Sequence, residues 1–231
     1  MPTVRAGDIR GVYAGTREAG AMLMGDRLVW NKTALYTRTD NSAPSVPDWA
    51  TFFTVILVGG GAGGQAGDGG NRAAGVGGRA GNVHFVSDSI QPGSRLTLSL
   101  GRGGVGGSGS SRALGRSGGS TGMYYYKYGS SSRSFIEARG GSNRMSSQMG
   151  GSTTLSPNIA GRYYQSHTGR SSSMTIGHGP SGNGHNGSNG AGGSGGNGGI
   201  FNNYSSGGRG GDGWFQIQFY GVDPLAYRPH T

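Results

Sequence analysis

The glycines of one segment recur with a period of three residues, and this feature restricts the possible folds more than any other. Between residues 184 and 199 every third residue is glycine, and a second glycine joins several of the triplets. The glycines that keep this phase are Gly184, Gly187, Gly190, Gly193, Gly196 and Gly199. A three-residue period matches an extended left-handed helix with three residues per turn and a rise of about 3.1 Å per residue.

A helix of this kind makes no internal hydrogen bonds, so in a folded protein its N–H and C=O groups must pair with neighbouring chains. Backbones come that close only where no side chain separates them, which requires glycine at the contact positions. Shorter tracts at residues 101–109 and 207–213 repeat the pattern. We therefore predict packed polyglycine-type helices whose third residues point outward. Collagen does not fit, because it needs abundant proline and this chain has only 8 prolines.

Short segments between the glycine tracts have the alternation, or the β-branched and aromatic content, that is typical of strands. These segments are residues 51–58, 82–87, 95–100 and 213–220, with a weaker hairpin formed by 123–128 and 135–138. No segment longer than a turn has a helical pattern. The predicted fold class is therefore mostly β: a β framework with packed polyglycine II-type helices and essentially no α-helix.

The chain divides into three parts by composition. Residues 1–40 contain two similar short pieces, VYAGTRE and MLMGDRL, and neither could bury a core alone. We interpret 1–40 as a docking segment of short strands that contacts another protein through Tyr13, Leu28 and Trp30. Residues 45–221 form the predicted glycine-rich domain, and 222–231 a C-terminal tail.

Composition excludes several classes of chemistry. The chain has no cysteine, so disulfides, zinc–cysteine sites and thiol nucleophiles are impossible. Its first residues lack a long apolar run, so no secretory signal is expected, and the apolar run at 52–58 is too short to span a bilayer. We expect no membrane insertion. With 53 glycines and few apolar residues, order must come from something other than a large apolar core.

The net charge of +10 is concentrated in residues 89–211, which hold eleven basic residues and one acid, Glu137. Seven of the eleven tyrosines lie in the same segment. Arginine and tyrosine make planar, hydrogen-bonding contacts, which favours a binding surface. The alternative is that the excess charge only keeps a glycine-rich lobe in solution.

A nucleotide-binding pattern occurs at Gly59, Gly61 and Gly64, which follow a predicted strand as G-x-G-x-x-G. The motif needs a helix after the glycines, but residues 64–81 contain eight glycines. These glycines cost a helix on the order of 8 kcal/mol relative to alanine. No apolar stripe at helical spacing offsets that cost, so we do not expect a dinucleotide site.

No catalytic or metal constellation stands out in the sequence. His167, His178 and His185 have no carboxylate near them in sequence, so solvated histidines are favoured over metal ligands. Glu137 stands alone, which leaves no paired carboxylates for acid–base catalysis. We expect no enzyme activity, no cofactor and no metal.

Arg-Gly-Gly occurs at 139–141 and 209–211, which raises the possibility of an RNA-binding protein of the RGG type. Such tracts are disordered and dense in the repeat, whereas both copies here adjoin strand-like sequence. RNA binding is the second class of function that the sequence permits, and our preferred interpretation has no nucleic-acid partner.

The order of the tracts resembles that of a known family. The succession GGGAGG, QPGSRLTLSLGRGGVGG, ARGG, a long glycine tract and GGRGGDGWFQIQFYG is similar to a glycine-rich domain of phage tail proteins. It resembles minor tail proteins of phages that infect actinobacteria, and also glycine-rich tail-fibre tip adhesins. The resemblance covers roughly residues 45–221, and the segment VYAGT…MLMGDRLVW resembles the leader segments of such tail proteins. This chain departs from the pattern in its long Ser- and Arg-rich interruption at 142–156.

The resemblance implies a protein of the virion tail tip in which loops joining the glycine helices bind a receptor. The corresponding loops here are residues 123–128, 163–168, 178–186 and 201–205. The candidate receptor-binding residues, all expected in loops, are Tyr124, Tyr125, Tyr126, Tyr163, Tyr164, His167, Phe201 and Tyr204. The implied partners are other tail-tip proteins and a host envelope glycan or glycolipid, with a homotrimer as one candidate assembly. The alternative is a purely architectural tail-tip protein.

Overall fold

The chain is mostly β, as the sequence predicts. The structure is a computed structural model, and it describes residues 13–14, 17–24, 27–70, 73–143, 154–159, 162–165, 186–199, 201, 203–224 and 226. Within these residues there are thirteen β-strands and no helix. It follows that no described helix is long and apolar enough to cross a membrane.

The N-terminal part contains two short antiparallel hairpins. Strand β1 (Tyr13–Ala14) pairs with β2 (Arg17–Glu18), and β3 (Ala21–Met24) pairs with β4 (Arg27–Asn31). Short strands were expected in this segment, and β1 to β4 agree with that expectation.

A four-stranded antiparallel sheet forms one half of the framework. Its strands, in spatial order, are β5 (Thr33–Arg38), β13 (Trp214–Tyr220), β6 (Phe52–Val58) and β7 (Val83–Ser89). All three pairings are antiparallel and in continuous register. The predicted strands at 51–58, 82–87 and 213–220 are confirmed. The edge strand β5 lies inside the predicted docking segment, so the framework also includes residues 33–38.

A three-stranded antiparallel sheet packs against the first. It contains β8 (Thr97–Ser99), β9 (Thr121–Tyr126) and β10 (Arg133–Ala138), in the order β10-β9-β8. The predicted hairpin of 123–128 with 135–138 is confirmed as β9 and β10. A further hairpin, β11 (Thr154–Ile159) with β12 (Arg162–Gln165), was not predicted, and β11 lies against β6 and β13.

The apolar core lies between the two sheets. Alternation along β6 points Phe53, Val55 and Leu57 toward the three-stranded sheet, where they meet Met123 and Tyr125 of β9. Residues of β6 and β13 that point to the opposite face of the four-stranded sheet form a second buried cluster, made of Ile56, Val58 and Trp214. Strand β6 is buried on both faces, which explains its continuous apolar sequence.

Beyond the framework the glycine tracts form what we call the glycine bundle. It consists of a central tract, residues 59–68, and six surrounding tracts. The surrounding tracts are residues 73–82, 101–107, 113–119, 139–141, 190–199 and 205–213.

Successive N–H groups of the central tract point to three different neighbours and return to the first after three residues. Gly60, Gly63 and Ala66 donate to carbonyls of tract 113–119, at N···O distances of 2.9 Å. The next residue of each triplet donates to tract 205–213, and the third donates to tract 73–82. This three-residue repeat matches the predicted phase of the glycines. The dihedral angles that define polyglycine II stay a prediction.

The carbonyl groups of the central tract accept hydrogen bonds from N–H groups of the other three surrounding tracts, 101–107, 139–141 and 190–199. The six surrounding tracts are also hydrogen-bonded to one another. Neighbours around the closed ring are, in order, 113–119, 101–107, 205–213, 190–199, 73–82 and 139–141. The ring closes between tracts 139–141 and 113–119, where the N–H of Gly118 donates to the carbonyl of Gly141 at 2.9 Å.

The bundle continues the layers of the framework. Strands β10, β9 and β8 connect directly to tracts 139–141, 113–119 and 101–107, which are consecutive members of the ring. Strands β7, β6 and β13 connect in the same way to tract 73–82, the central tract and tract 205–213. The two sheets therefore position six of the seven tracts, and tract 190–199 is the exception because it continues no described strand.

The phased glycines lie where backbones approach most closely. A Cβ atom on Gly193 or Gly196 would overlap the carbonyl oxygen of Gly208 or Ser205, respectively. Gly190 has a φ of 80°, a conformation that favours glycine. Gly187 and Gly199 make similar close approaches to backbone carbonyls, whereas Gly184 lies outside the described residues.

Hydrogen exchange should distinguish the central tract from the outer ones. Every N–H from Gly59 to Asp68 donates to a backbone carbonyl, whereas in tract 190–199 the N–H groups of Gly193, Gly196 and Gly199 donate to the central tract. NMR-detected exchange should show continuous protection through 59–68 and maxima at those three amides. Uniformly fast exchange through 59–68 would contradict the packing.

Substitution at a packed glycine should be far more damaging than substitution at its outward neighbour. We expect Gly196→Ala to lower the free energy of unfolding by about 1–3 kcal/mol, because the backbones must separate. The midpoint of thermal unfolding should fall by roughly 2–4 °C for each kcal/mol. Asn197→Ala is the matched control and should leave the midpoint nearly unchanged. Equal effects of the two substitutions would show that Gly196 is not a contact position.

Candidate binding surfaces

The bundle ends, away from the framework, in three turns that we call the distal turns. They comprise the described residues of 68–73, 108–112 and 199–203. Each turn joins a tract that leaves the framework to one that returns, since tracts 101–107 and 190–199 run parallel to the central tract. The distal turns are therefore the part of the bundle farthest from the sheets.

Asp68 ties two of the distal turns together. Its Oδ1 accepts the N–H of Gly70 at 2.8 Å and the hydroxyl of Ser111 at 3.3 Å. Its Oδ2 lies 3.6 Å from Nη1 of Arg112. The side chain of Asp68 is largely buried, so these contacts stabilise a carboxylate that water reaches poorly.

Phe201 projects from the third distal turn. Its side chain is 88% exposed, and its φ is 53°, in the left-handed region. A bulky L-residue rarely adopts such an angle, which costs about 1–2 kcal/mol. Neither burial of the ring nor the backbone conformation favours phenylalanine at this position. Phe201 is therefore a candidate contact residue. Tyr204, in the same segment, is half-buried.

A second surface lies on the outer side of the three-stranded sheet, and we call it the aromatic–arginine face. It consists of Tyr124, Tyr126, Arg133 and Phe135. The rings of Tyr124 and Phe135 are 4.4 Å apart and inclined by 33°. The guanidinium carbon of Arg133 lies 4.9 Å from the ring of Tyr124 and 5.8 Å from that of Tyr126. Its Nη2 donates to the hydroxyl of Thr97 at 2.6 Å.

Strand alternation explains why these residues share one face. Tyr124 is directly opposite Phe135, and Tyr126 is opposite Arg133, in the pairing of β9 with β10. A Cβ atom on Gly122 would lie 2.7 Å from the ring of Phe135, so glycine there lets the ring lie across the sheet. Tyr124 is 42% exposed and Phe135 is 50% exposed, which leaves a ring surface open to solvent.

The prediction that Tyr124, Tyr125 and Tyr126 lie in loops is wrong, because all three are in β9. Tyr125 points inward, is only 2% exposed, and donates from its hydroxyl to Oδ2 of Asp88 at 2.6 Å. Burial, together with this hydrogen bond, raises the pKa of Tyr125 far above its ordinary value. Burial opposes ionisation of Asp88, but hydrogen bonds from Tyr125 and Lys127 outweigh it and lower the pKa of that carboxyl.

The remaining candidates are not brought together in one site. Tyr163 and Tyr164 are in β12, not in a loop, and their side chains lie outside the description. His167 also lies outside the described residues. Phe201 lies in a distal turn and Tyr204 directly after it, on the opposite side of the framework–bundle junction from β9.

The sequence analysis missed Arg133 and Phe135. The alternation of residues 133–138, RSFIEA, places Arg133, Phe135 and Glu137 on one face, and the observed burial follows that pattern. This alternation is the sequence signal that could have identified Arg133 and Phe135 as surface residues of a strand.

The predicted docking residues lie in the two N-terminal hairpins. Leu28 and Trp30 are half-buried in β4, and Tyr13 is in β1. An open groove of about 520 Å³ lies nearby, and Lys32 Nζ sits 4.9 Å from the ring centre of Trp49 at its edge. No group of three or more metal-binding side chains occurs in the described part of the chain.

Replacing Phe201 by glycine should relieve backbone strain. We expect Phe201→Gly to raise the free energy of unfolding by about 1 kcal/mol, because glycine adopts a positive φ without a steric penalty. Phe201→Ala is the control, since it removes the ring but keeps the Cβ atom and should leave stability nearly unchanged. Both are measured by thermal unfolding. A loss of stability in Phe201→Gly would mean that the ring has a structural role.

Sequence comparison agrees with the extent of the framework and bundle. A family profile described as a glycine-rich domain matches residues 37–220, which run from the end of β5 to the end of β13. No curated protein matches the chain. Because the profile covers most of the sequence, the chain belongs to this family of glycine-rich domains.

Proposed function

We propose that this chain is a structural component of a phage tail tip that presents exposed residues for adhesion to the host cell envelope. The N-terminal strands attach it to other tail proteins, the framework and bundle form a stiff support, and the outer surfaces contact the host. The observation that carries the proposal is Phe201, an 88% exposed aromatic side chain at a positive φ on a distal turn.

The bundle supports this proposal because it holds its turns in place without an apolar core. Its tracts are joined by backbone hydrogen bonds, and Asp68 connects two of the distal turns. A turn on such a support loses little conformational freedom when it binds a partner. Adhesion at the end of a tail benefits from that rigidity.

The chemistry of the exposed residues suits a glycan or glycolipid. Aromatic rings such as those of Phe201, Tyr124 and Phe135 offer flat apolar surfaces to sugar rings. Arg133 can donate two parallel hydrogen bonds to a carboxylate or phosphate group. The resemblance of the tract order to actinobacteriophage tail proteins supports the choice of host.

A purely architectural role is the second candidate function. It is favoured by Leu23 and Leu35, which are exposed apolar side chains in the N-terminal strand β3 and the edge strand β5. Exposed apolar residues on an edge strand are typical of a surface that pairs with another chain. This role needs no contact between the bundle and the host.

Binding of the purified full chain to actinobacterial envelopes separates the two roles. We expect saturable cosedimentation with envelope fragments and about a tenfold weaker affinity for Phe201→Ala, since a buried aromatic anchor contributes at least that much. Leu35→Ala is the matched control, because Leu35 is an exposed apolar side chain on the edge strand β5, away from the distal turns and from the aromatic–arginine face. It should bind like the unmodified chain. Absence of saturable binding would overturn adhesion and leave the architectural role.

A further inference from the structure

One side of the molecule carries exposed arginines on both the framework and the bundle. Tracts 139–141, 113–119 and 101–107 are consecutive in the ring and continue strands β10, β9 and β8. Outward residues of these tracts therefore share a side with the aromatic–arginine face. We call the two parts together the long face.

Three arginines lie on the bundle part of the long face. Arg139, Arg116 and Arg102 are exposed, one on each of the three tracts. The described residues provide no acidic partner for any of them. By contrast, Arg112 pairs with Asp68 and Arg209 pairs with Asp212 elsewhere on the bundle.

Arg133 adds a fourth positive charge at the framework end of the long face. One acid, Glu137, lies on the same face of β10, between Arg133 and Arg139. Glu137 is also the only acid between residues 89 and 211 of the sequence. The long face therefore has a net charge of about +3, with aromatic rings at one end.

We infer that the long face binds a linear, sparsely charged acidic polysaccharide lengthwise. The rings of Tyr124 and Phe135 stack on a sugar ring, and the arginines hold carboxylate groups farther along the chain. The inference deepens the proposed function, on which it rests for the source of the glycan in the host envelope. It concerns a surface other than the distal turns.

The dimensions of the long face fit an extended polymer. Arg133 and Arg139 are six residues apart on an extended strand, or about 20 Å. Arg139 lies beside Gly59 and Arg116 beside Gly63, which adds about 12 Å along the bundle. The charged residues therefore extend over roughly 30 Å, enough for several sugar rings in a row.

The charge density favours an acidic glycan over a nucleic acid. The long face offers about one net positive charge per 10 Å, by the same estimate of its length. Each strand of duplex DNA carries one negative charge per about 3.4 Å. A polymer with a carboxylate on alternate sugars matches the protein more closely. Exposed hydroxyls on the long face, such as those of Thr97, Ser99 and Ser117, can bond to its hydroxyl groups.

Titration of the full chain with fluorescent hyaluronan oligosaccharides, a linear glycan with a carboxylate on alternate sugars, tests the inference. We expect binding that weakens as salt is raised, and little binding to neutral dextran. Arg116→Gln combined with Arg139→Gln should weaken the affinity on the order of tenfold or more. Glu137→Gln should strengthen it, because it removes the one negative charge of the long face.

Arg209→Gln is the matched control, since it removes one exposed positive charge from tract 205–213, outside the long face. It should change hyaluronan affinity less than twofold, because charges outside the contact are screened by salt. Arg116→Gln alone is the variant to compare with it, and an equal loss of affinity for Arg209→Gln and Arg116→Gln would show general charge attraction and overturn the inference. Tighter binding of single-stranded RNA of equal length would also overturn it, in favour of a nucleic-acid surface.

The test is independent of host adhesion. If envelope binding persists and hyaluronan does not bind, the lengthwise glycan surface is wrong and the proposed function stands. If hyaluronan binds through the arginines but envelopes do not, host adhesion is wrong and the long face still binds an acidic glycan. Unchanged thermal unfolding of the arginine variants confirms that they are folded.

Discussion

The structure depends on backbone hydrogen bonds between the central tract and its neighbours, formed where no side chain lies between the chains. Every N–H from Gly59 to Asp68 has a backbone carbonyl partner, and no two successive N–H groups point to the same tract. These bonds replace the apolar contacts that hold ordinary domains together, because an unpaired buried backbone group is costly. They also account for the composition, since eight of the ten residues from Gly59 to Asp68 are glycine or alanine and only Gln65 and Asp68 carry longer side chains.

The large buried apolar side chains lie in and around the two sheets, which anchor the bundle. Strand β6 places Phe53, Val55 and Leu57 in the core and then continues, at Gly59, as the central tract. Strand pairing sets the order and direction of the tracts that continue the strands, so a small core orders a much larger hydrogen-bonded assembly. Without that anchor the tracts would be interchangeable, because one Gly-Gly-X triplet can pair with any other.

Much of this arrangement follows from the sequence, and the failures have physical causes. The three-residue phase predicted the contact glycines, and apolar runs predicted β6 and β13. Position in the ring could not be predicted, because it is fixed by strand pairing and not by the tracts themselves. The resemblance to tail-tip adhesins implied a receptor-binding loop at 123–128, whereas Tyr124–Tyr126 lie in the hairpin that the strand pattern of 123–128 and 135–138 predicted. The hairpin of β11 and β12 was missed because Pro157 within β11 argues against a strand.

The same packing determines where binding can evolve. Inside the bundle nearly all groups are backbone, and the buried side chains of Gln65 and Asp68 are occupied in holding neighbouring tracts and turns. Only outward third residues, the turns and the outer sheet face can change without separating backbones. Arg102 and Arg116 occupy such outward positions, and Phe201 occupies a turn. A fold that fixes its interior with glycine thus leaves a linear array of variable positions along its length, which suits recognition of an extended polymer more than enclosure of a small molecule.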